Sequence, residues 1–542
     1  MSARYADDRV GLATLVGVTG LLVVVGLTAI VAAVSAGARR YGVLAPIALV
    51  VVGLALSFVP GFPEVHVEPE FVLVGVLPPL LYIAALETSV PAFRVNLRPI
   101  LLLAVGLVIF TAVVVGLVIH LLLPSVPLAI CLALGAVVAP PDAVAATAVA
   151  RRIGLPRRLV TILEGESLLN DATALVLFKV TVAAAIGTAV GPLAVGKEIL
   201  LSAGGGVLVG AVGAIVAGFL HRRTKDPLLD NTISVLSPFL VAALAERVHA
   251  SAVVAVVVTG LYLGHRLPTL MSAASRLQMG AFWKLVKFLL EGLVFLIVGL
   301  QLREVLAAVD TPVVTAVGVT VAVLLTVVAT RFAWMYPATY LARLVPRVRQ
   351  RDPAPGWQVP TLVSWAGMRG VVTLATALAL PPALAGGQPY PRDLFVWLAF
   401  AVIMVTLVGQ GVTLPALARR LRIQPDDRMQ DVLAEATVQQ AASRAALEKL
   451  AKHEDTAPDY VVQRLRGLAE QRANTAWERL GTHRETPSGA YVRLRRIMLE
   501  AERDVFRKAR DDGRIPEEVL VRAQRELDLE ESMLERSQDN DV

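Results

Sequence analysis

Up to about residue 420 the apolar residues arrive in long, nearly unbroken runs. Beyond that point they recur only at helical intervals between charges. A helix that crosses a bilayer needs about 20 predominantly apolar residues. Runs of that kind fall at 10–35, 43–59, 70–88, 99–123, 126–150, 164–186, 194–220, 228–248, 250–265, 281–301, 312–341, 359–382 and 394–418. The pattern predicts an all-α, polytopic membrane protein with about 13 spans, the ninth of them short. The first run is too long for the apolar part of a signal peptide and lacks a basic segment and cleavage site, so it reads as a retained helix.

Two runs are badly made as plain helices. The fifth contains Pro140-Pro141-Asp142, which removes two backbone donors, and the twelfth contains Gly367-Met-Arg-Gly370. They stand seven spans apart, as matching members of two inverted six-helix repeats would (spans 1–6 and 8–13, the seventh linking them). Interrupted helices at corresponding positions of two halves point to a transporter's binding site at mid-membrane.

From Leu421 the chain changes character. Residues 421–542 are dense in charge, and Pro458, Pro487 and Pro516 punctuate three or four helices. Tyr491, Leu494, Ile497, Met498 and Leu499 suggest the apolar face of one of them. This tail reads either as a solvated helical scaffold or as a regulatory domain.

Composition agrees with a membrane protein. Of 542 residues 56% are hydrophobic and 18% charged, and the mean hydropathy is +0.66; soluble domains run nearer 45–50% apolar and about 25% charged. The formal charge of +7 does not point to nucleic acid, because the basic residues gather in alternate loops. Those loops hold Arg39/Arg40, Arg94/Arg98, Arg151/Arg152/Arg157/Arg158, Arg222/Arg223/Lys225, Arg266/Arg276 and Arg343/Arg347/Arg349/Arg351. The intervening loops carry only Lys197, Arg247, Arg303 and Arg392, with Glu64, Glu68 and Glu70 beside them. Basic loops stay inside, so the tail is expected in the cytoplasm and the N-terminus outside, which requires an odd number of spans. The single Cys131 excludes an internal disulfide and reads as a small packing residue.

The stretch Ala139–Phe178 places carboxylates inside greasy sequence. A charge at the bilayer centre costs roughly 2.5–3.5 kcal/mol on insertion scales, so one that is kept there is read as functional. In the sixth span Asp171 lies four residues past Ser167 and seven past Glu164, on one helical face, with Asn170 and Glu166 on an adjoining stripe. Such oxygen ligands suit a small alkali cation, and no Cys/His cluster exists for zinc or iron. Asp171 and Asp142 are therefore expected to form a cation and proton site, with free carbonyls from the broken helix beside them. A carboxyl that binds a metal ion poorly when protonated gives exchange by competition. The competing readings are a helix-start cap for Asp171 and a partner for broken backbone donors for Asp142. Glu291, Arg331 and Arg369 are further charges in apolar runs and should each have a partner, Glu166 with Arg331 being the preferred pair. Lys179 reads as a snorkelling lysine, and His221, His249 and His265 as solvated span ends.

At EGESLLNDATALVLF (Glu164–Phe178) the chain resembles the cation:proton antiporter family of bacterial sodium/proton antiporters and animal sodium/proton exchangers. LPPLLY (Leu77–Tyr82), the Asp142 helix, EGLVFLIVGL (Glu291–Leu300), Arg331 and GMRGVV (Gly367–Val372) extend the resemblance over roughly 10–420. It implies thirteen helices with crossed unwound segments, core helices over roughly 70–186 and 281–418, dimerisation helices among the rest, and a homodimer. It also implies Asp171 as the exchanged-ion carboxylate, aided by Asn170, Ser167 and Asp142, a Glu166–Arg331 pair, and electroneutral exchange from the Asn before the aspartate. Many relatives read Thr-Asp-Pro where this chain has Pro141-Asp142-Ala143, so a threonine hydroxyl is missing and the Pro141 carbonyl remains as a ligand. The expectation is an inner-membrane antiporter, serving pH and sodium homeostasis, that exchanges Na⁺ (with K⁺ or Li⁺ as alternatives) for H⁺ by alternating access. It needs no cofactor and performs no enzymatic reaction. The rival readings are a cation channel or solute permease whose buried charges form a gate or filter, and a membrane sensor acting through the tail.

Overall fold

The structure, a computed structural model, describes residues 18–539 apart from 61, 63–67, 188–191, 345, 347–349, 351–353, 425, 479 and 481–485. Residues 10–17 of the first expected span, Glu64, Arg347, Arg349 and Arg351 lie outside the described residues. The chain divides into two units, 1–425 and 426–542.

The first unit is helical throughout its ordered elements. Its helices are α1 (Val18–Tyr41), α2 (Ala45–Ser57), α3 (Phe71–Glu87), α4 (Leu97–Leu122), α5 (Leu128–Val138), α6 (Ala143–Arg152), α7 (Arg157–Ala185) and α8 (Pro192–Arg223). There follow α9 (Pro227–Arg247), α10 (Ala252–Leu270), α11 (Ala273–Leu300), α12 (Val313–Tyr340), α13 (Gln358–Trp365), α14 (Val371–Leu378) and α15 (Arg392–Arg420). Among the described residues nine helices are long and apolar enough to cross a membrane. The remaining expected spans appear as the short helices α2 and α3 and as two broken elements, α5/α6 and α13/α14. Both breaks stand where prolines or glycines interrupt the apolar runs.

These helices pack as two bundles. In one, α11 lies on α2, α3 on α10, and α8 and α9 on α10. Glycines set the closest approach: a Cβ on Gly53 of α2 would overlap Leu296 O of α11, and one on Gly260 of α10 would fall 2.6 Å from the Ala85 Cβ of α3. The other bundle holds α4–α7 and α12–α15, with α4 on α5, α5 on α7 and α12 on α4. The packing thus places α3 and α11 outside the bundle of the broken helices, although the expected core ranges 70–186 and 281–418 took them in. Their small-residue faces fit α10 and α2, and that complementarity, invisible in a hydropathy run, decides the grouping. Cys131 is fully buried in α5, as a packing residue should be.

The second unit contains α16 (Arg428–Ala451), α17 (Asp459–Glu478), α18 (Pro487–Asp511) and α19 (Glu517–Asp539). Val492 and Leu499 of α18 pack with Leu527 and Leu534 of α19. The packed face of α18 is therefore the seven-residue stripe through Val492 and Leu499, while Tyr491, Leu494, Ile497 and Met498 are exposed. α18 carries apolar residues on two stripes, and of the five expected on its apolar face only Leu499 is buried.

Candidate ion-binding site

The site grows from the two helix breaks. Pro140 and Pro141 have no N–H to continue α5, which ends at Val138, and α13 stops at Trp365 before Gly367. The breaks cross: the Asp142 amide donates to Met368 O (2.6 Å). Four helix ends thereby meet inside the protein, with unsatisfied carbonyls at α5 and α13 and unsatisfied amides at α6 and α14. These ends carry partial negative and positive charge respectively.

Two side chains answer them. Arg369 is buried, and its Nε donates to Val138 O (3.2 Å) and its Nη1 to Gly367 O, so the guanidinium serves the carbonyl ends. Its backbone amide donates to Thr406 Oγ1 (3.1 Å), presented by a wider π-turn within α15. The Asp142 carboxylate lies against Gly370, immediately before α14, so close that a Cβ there would overlap Oδ2. It faces the positive end of that half-helix.

α7 begins at Arg157, after Pro156, rather than near Glu164 as expected. Glu164 to Asp171 consequently lie well inside the helix, which removes the reading of Asp171 as a cap. Asn170 is completely buried and its Nδ2 donates to Pro141 O (2.6 Å), tying α7 to the broken segment. The Pro141 carbonyl, expected as an ion ligand, thus already accepts one hydrogen bond, and it is the Asn170 Oδ1 that has no partner among the described residues. On the next stripe Glu166 receives Arg331 Nη1 and Nη2 (2.6 and 2.9 Å) with both side chains about 2% exposed or less. Arg331 Nε also donates to Val363 O (3.2 Å).

The third stripe, Glu164, Ser167 and Asp171, lines a cavity of about 620 Å³ between the bundles. Pro141, Asp142, Thr147 and Gly370 complete that wall, and Glu87, Lys287, Glu291 and Phe295 belong to the facing one. Asp171 is 7% exposed and makes no ion pair among the described residues. The cavity reaches exposed Arg39, Glu87 and Arg151 at its rim. Leu134, Val138, Ala174, Phe178, Leu380 and Leu398 form part of a buried apolar cluster in the same bundle.

Glu291 departs from the expectation of an ion pair: its Oε1 is buried and accepts no hydrogen bond among the described residues. The nearby Lys287 is engaged instead by Glu87 Oε2 (2.8 Å), and Glu164 by Arg151 Nη2 (2.7 Å). Lys179 is exposed and away from the cavity. His249 and His265 are exposed as expected, but His221 is buried and its Nδ1 donates to Asp230 Oδ1 (2.9 Å). The hairpin between α8 and α9 folds that span end inward. The reading from sequence also missed Glu87, Lys287 and Arg151 as cavity residues. The available signal was the four-residue spacing of Lys287 and Glu291, which puts both on one face of α11.

Among the described residues no three His, Cys, Asp or Glu side chains gather as a transition-metal site. Two aspartates, a serine and an amide oxygen at crossed helix breaks suit one small hard cation. A buried acid that lines a cavity beside two crossed helix breaks is the arrangement of an ion-coupled secondary transporter. Residues 16–420 match the transmembrane domain of the sodium/hydrogen exchangers. The chain is 37% identical over 533 residues to an uncharacterised Na⁺/H⁺ exchanger of Mycobacterium tuberculosis (strain H37Rv), covering 95% of this chain and 96% of that one. It is 32% identical over 520 residues to a sodium, potassium, lithium and rubidium/H⁺ antiporter of Bacillus subtilis (strain 168), covering 92% and 76%. The fold is that of the sodium proton antiporter MjNhaP1 from Methanocaldococcus jannaschii, with a TM-score of 0.56 at 17% identity over 74% of this chain and 99% of that one. The chain belongs to the sodium/hydrogen exchanger family.

Proposed function

We propose that this protein exchanges Na⁺, or K⁺ or Li⁺ in its place, for H⁺ across the cell membrane by alternating access, one cation for one proton. Asp171 is the exchanged-ion carboxylate. The observation that carries this is its position: buried, without an ion pair among the described residues, and lining a cavity whose rim holds Arg39 and Arg151. Burial disfavours the bare carboxylate, so it holds either a proton or a cation, and each displaces the other. Ser167, the Asn170 Oδ1 and the Asp142 carboxylate supply further oxygens, and Asn170 adds no second charge beside the aspartate. A single negative charge is neutralised on each leg, which makes the cycle electroneutral. The rim arginines Arg39 and Arg151 belong to the basic loops, so the cavity faces the cytoplasm and the tail lies on the same side. The working unit is a homodimer, and the bundle of broken helices carries the site across.

Reconstituted vesicles test this. Wild-type protein should collapse an imposed pH gradient on addition of Na⁺, with the rate unchanged when the membrane potential is clamped at zero. Asp171→Asn should abolish the response while leaving the protein monodisperse in detergent. Full activity in that variant would defeat the assignment, and a rate that scales with voltage would defeat electroneutrality.

A further inference from the structure

Two carboxylates face the same cavity from opposite bundles. Asp171 stands on the bundle of broken helices, and Glu291 on α11, in the bundle that packs around α2 and α10. Glu291 lies deep in the apolar part of a helix of 28 residues, and its buried Oε1 accepts no hydrogen bond among the described residues. A buried acceptor left without a donor keeps its desolvation penalty, so a purely structural glutamate there would be a liability. Lys287, one turn away on the same face, does not remove that cost, because its ammonium is bound to Glu87 nearer the rim. What remains open to Glu291 is the content of the cavity: water, a proton or a cation.

We infer that Glu291 is a staging carboxylate that receives the cation from the cavity mouth and hands it to Asp171. This rests on the assignment of Asp171 as the exchanged-ion site. When the cation binds, Glu291 releases any proton it holds to cavity water, and it regains one when the cation moves on. The residue ends each cycle as it began, so the stoichiometry is untouched. Its placement gives the proposal a directional signature. The bundle of α2, α10 and α11 does not accompany Asp171 in the alternating-access cycle, so Glu291 serves loading from the side on which the cavity opens and not from the other.

The experiment compares Na⁺ dependence at each face, using oriented vesicles of both polarities loaded with the full-length protein. Glu291→Gln should raise the Na⁺ KM at the cavity-side face by roughly 3–10-fold, the loss of one nearby charge acting through a partly screened medium. The maximal rate should stay within about twofold and the KM at the opposite face should not move. Glu291→Asp, which keeps the charge, should restore the cavity-side KM. The proposal is overturned if Glu291→Gln leaves both KM values unchanged, raises both equally, or abolishes transport at every Na⁺ concentration. It is also overturned if Glu291→Asp behaves like Glu291→Gln, since the charge would then be irrelevant. If Glu291→Gln does not assemble, the cavity-side KM of Glu291→Asp decides, a wild-type value supporting the role and an altered one opposing it. Asp171→Asn in the same vesicles separates the two claims: transport by that variant sinks the site itself, whereas its silence with unaltered Glu291→Gln kinetics sinks only the staging role.

Discussion

Replacing Glu166 by glutamine should injure the fold far more than replacing Asp171 by asparagine, although the two stand five residues apart on one helix. Arg331 makes two hydrogen bonds to Glu166 and one to Val363 O, with essentially no access to solvent. Glutamine keeps the volume but cancels the charge and one acceptor, leaving a guanidinium uncompensated in the interior. Breaking a buried pair in this way costs about 3–5 kcal/mol, a large part of an ordinary folding stability of about 5–15 kcal/mol. Asp171→Asn has no such partner to orphan and should leave stability intact or raise it. The double substitution Glu166→Leu with Arg331→Met removes both charges together, and such exchanges are often neutral or stabilising by about 1–4 kcal/mol. Thermal unfolding in detergent, followed by loss of the monodisperse peak, measures all four proteins. The expected order has Glu166→Gln well below wild type, with Asp171→Asn and the double variant near it. Glu166→Gln within about 1 kcal/mol of wild type, Asp171→Asn as weak as Glu166→Gln, or a double variant as weak as Glu166→Gln would refute the reasoning.

Three other outcomes are expected. Gly53→Leu should separate α2 from α11, because even a Cβ at that position meets Leu296 O; a loss of about 1–3 kcal/mol by the same unfolding assay is the expected size for an overpacked contact. His221→Ala should destabilise the α8–α9 hairpin by about 3–5 kcal/mol by leaving the buried Asp230 carboxylate unpaired, whereas Ala at exposed His249 should cost nothing measurable. In the tail, Arg495 donates from Nε and Nη2 to both oxygens of Glu530 (2.6 and 2.7 Å) and holds its carboxyl below the ordinary value of 4.5. A depressed folded-state value stabilises above the unfolded value and loses that contribution as pH falls through the folded one. Amide protection across α18 and α19, taken relative to the intrinsic exchange rate at each pH, should therefore fall below about pH 4.5 in the full chain, and Glu530→Gln should flatten that dependence.

The sequence exposed what is fixed by long runs and by broken runs. Apolar stretches of membrane length located the long helices of the first unit, and Pro140-Pro141 and Gly367–Gly370 located both breaks, because missing donors and missing side chains act locally. The helical faces of α7 were readable for the same reason: Asn170 meeting Pro141 and Asp171 lining a cavity follow from 3.6-residue geometry. What did not show was anything decided by which helix lies beside which. The start of α7 extended back through Arg157 and Arg158, residues that a hydropathy window discards, although Arg158 Nε finds Asn96 Oδ1 at 3.1 Å. His221 looked solvated because it precedes two arginines, yet the turn that follows brings Asp230 onto it. Glu291 looked like half of an ion pair because buried charges are rarely left alone, and its nearest lysine is held by another glutamate. Pairwise geometry of this kind has no one-dimensional trace.

The distribution of polar bonds also bears on how such a fold moves. Asp142 to Met368, Asn170 to Pro141, Arg369 to Val138 and Gly367, and Glu166 to Arg331 all join helices of the bundle that carries the breaks. Hydrogen bonds and buried pairs are directional and lose most of their strength when misaligned, so these contacts hold α5, α7, α12, α13 and α14 as one body. Lys287 to Glu87 and Trp283 to Ser234 similarly stay inside the other bundle. Where the bundles meet, Leu168 and Ala172 of α7 share an apolar cluster with Val256 and Val257 of α10, and Leu107 shares one with Val50 and Leu296. Apolar contact is non-directional and roughly proportional to buried area, so it tolerates sliding that keeps the area covered. A carrier must displace its site without exposing it to both sides, and a rigid polar body against a greasy seam does that at low cost. The same division puts Asp142 and Asp171 on the polar-bonded side of the seam, facing the cavity.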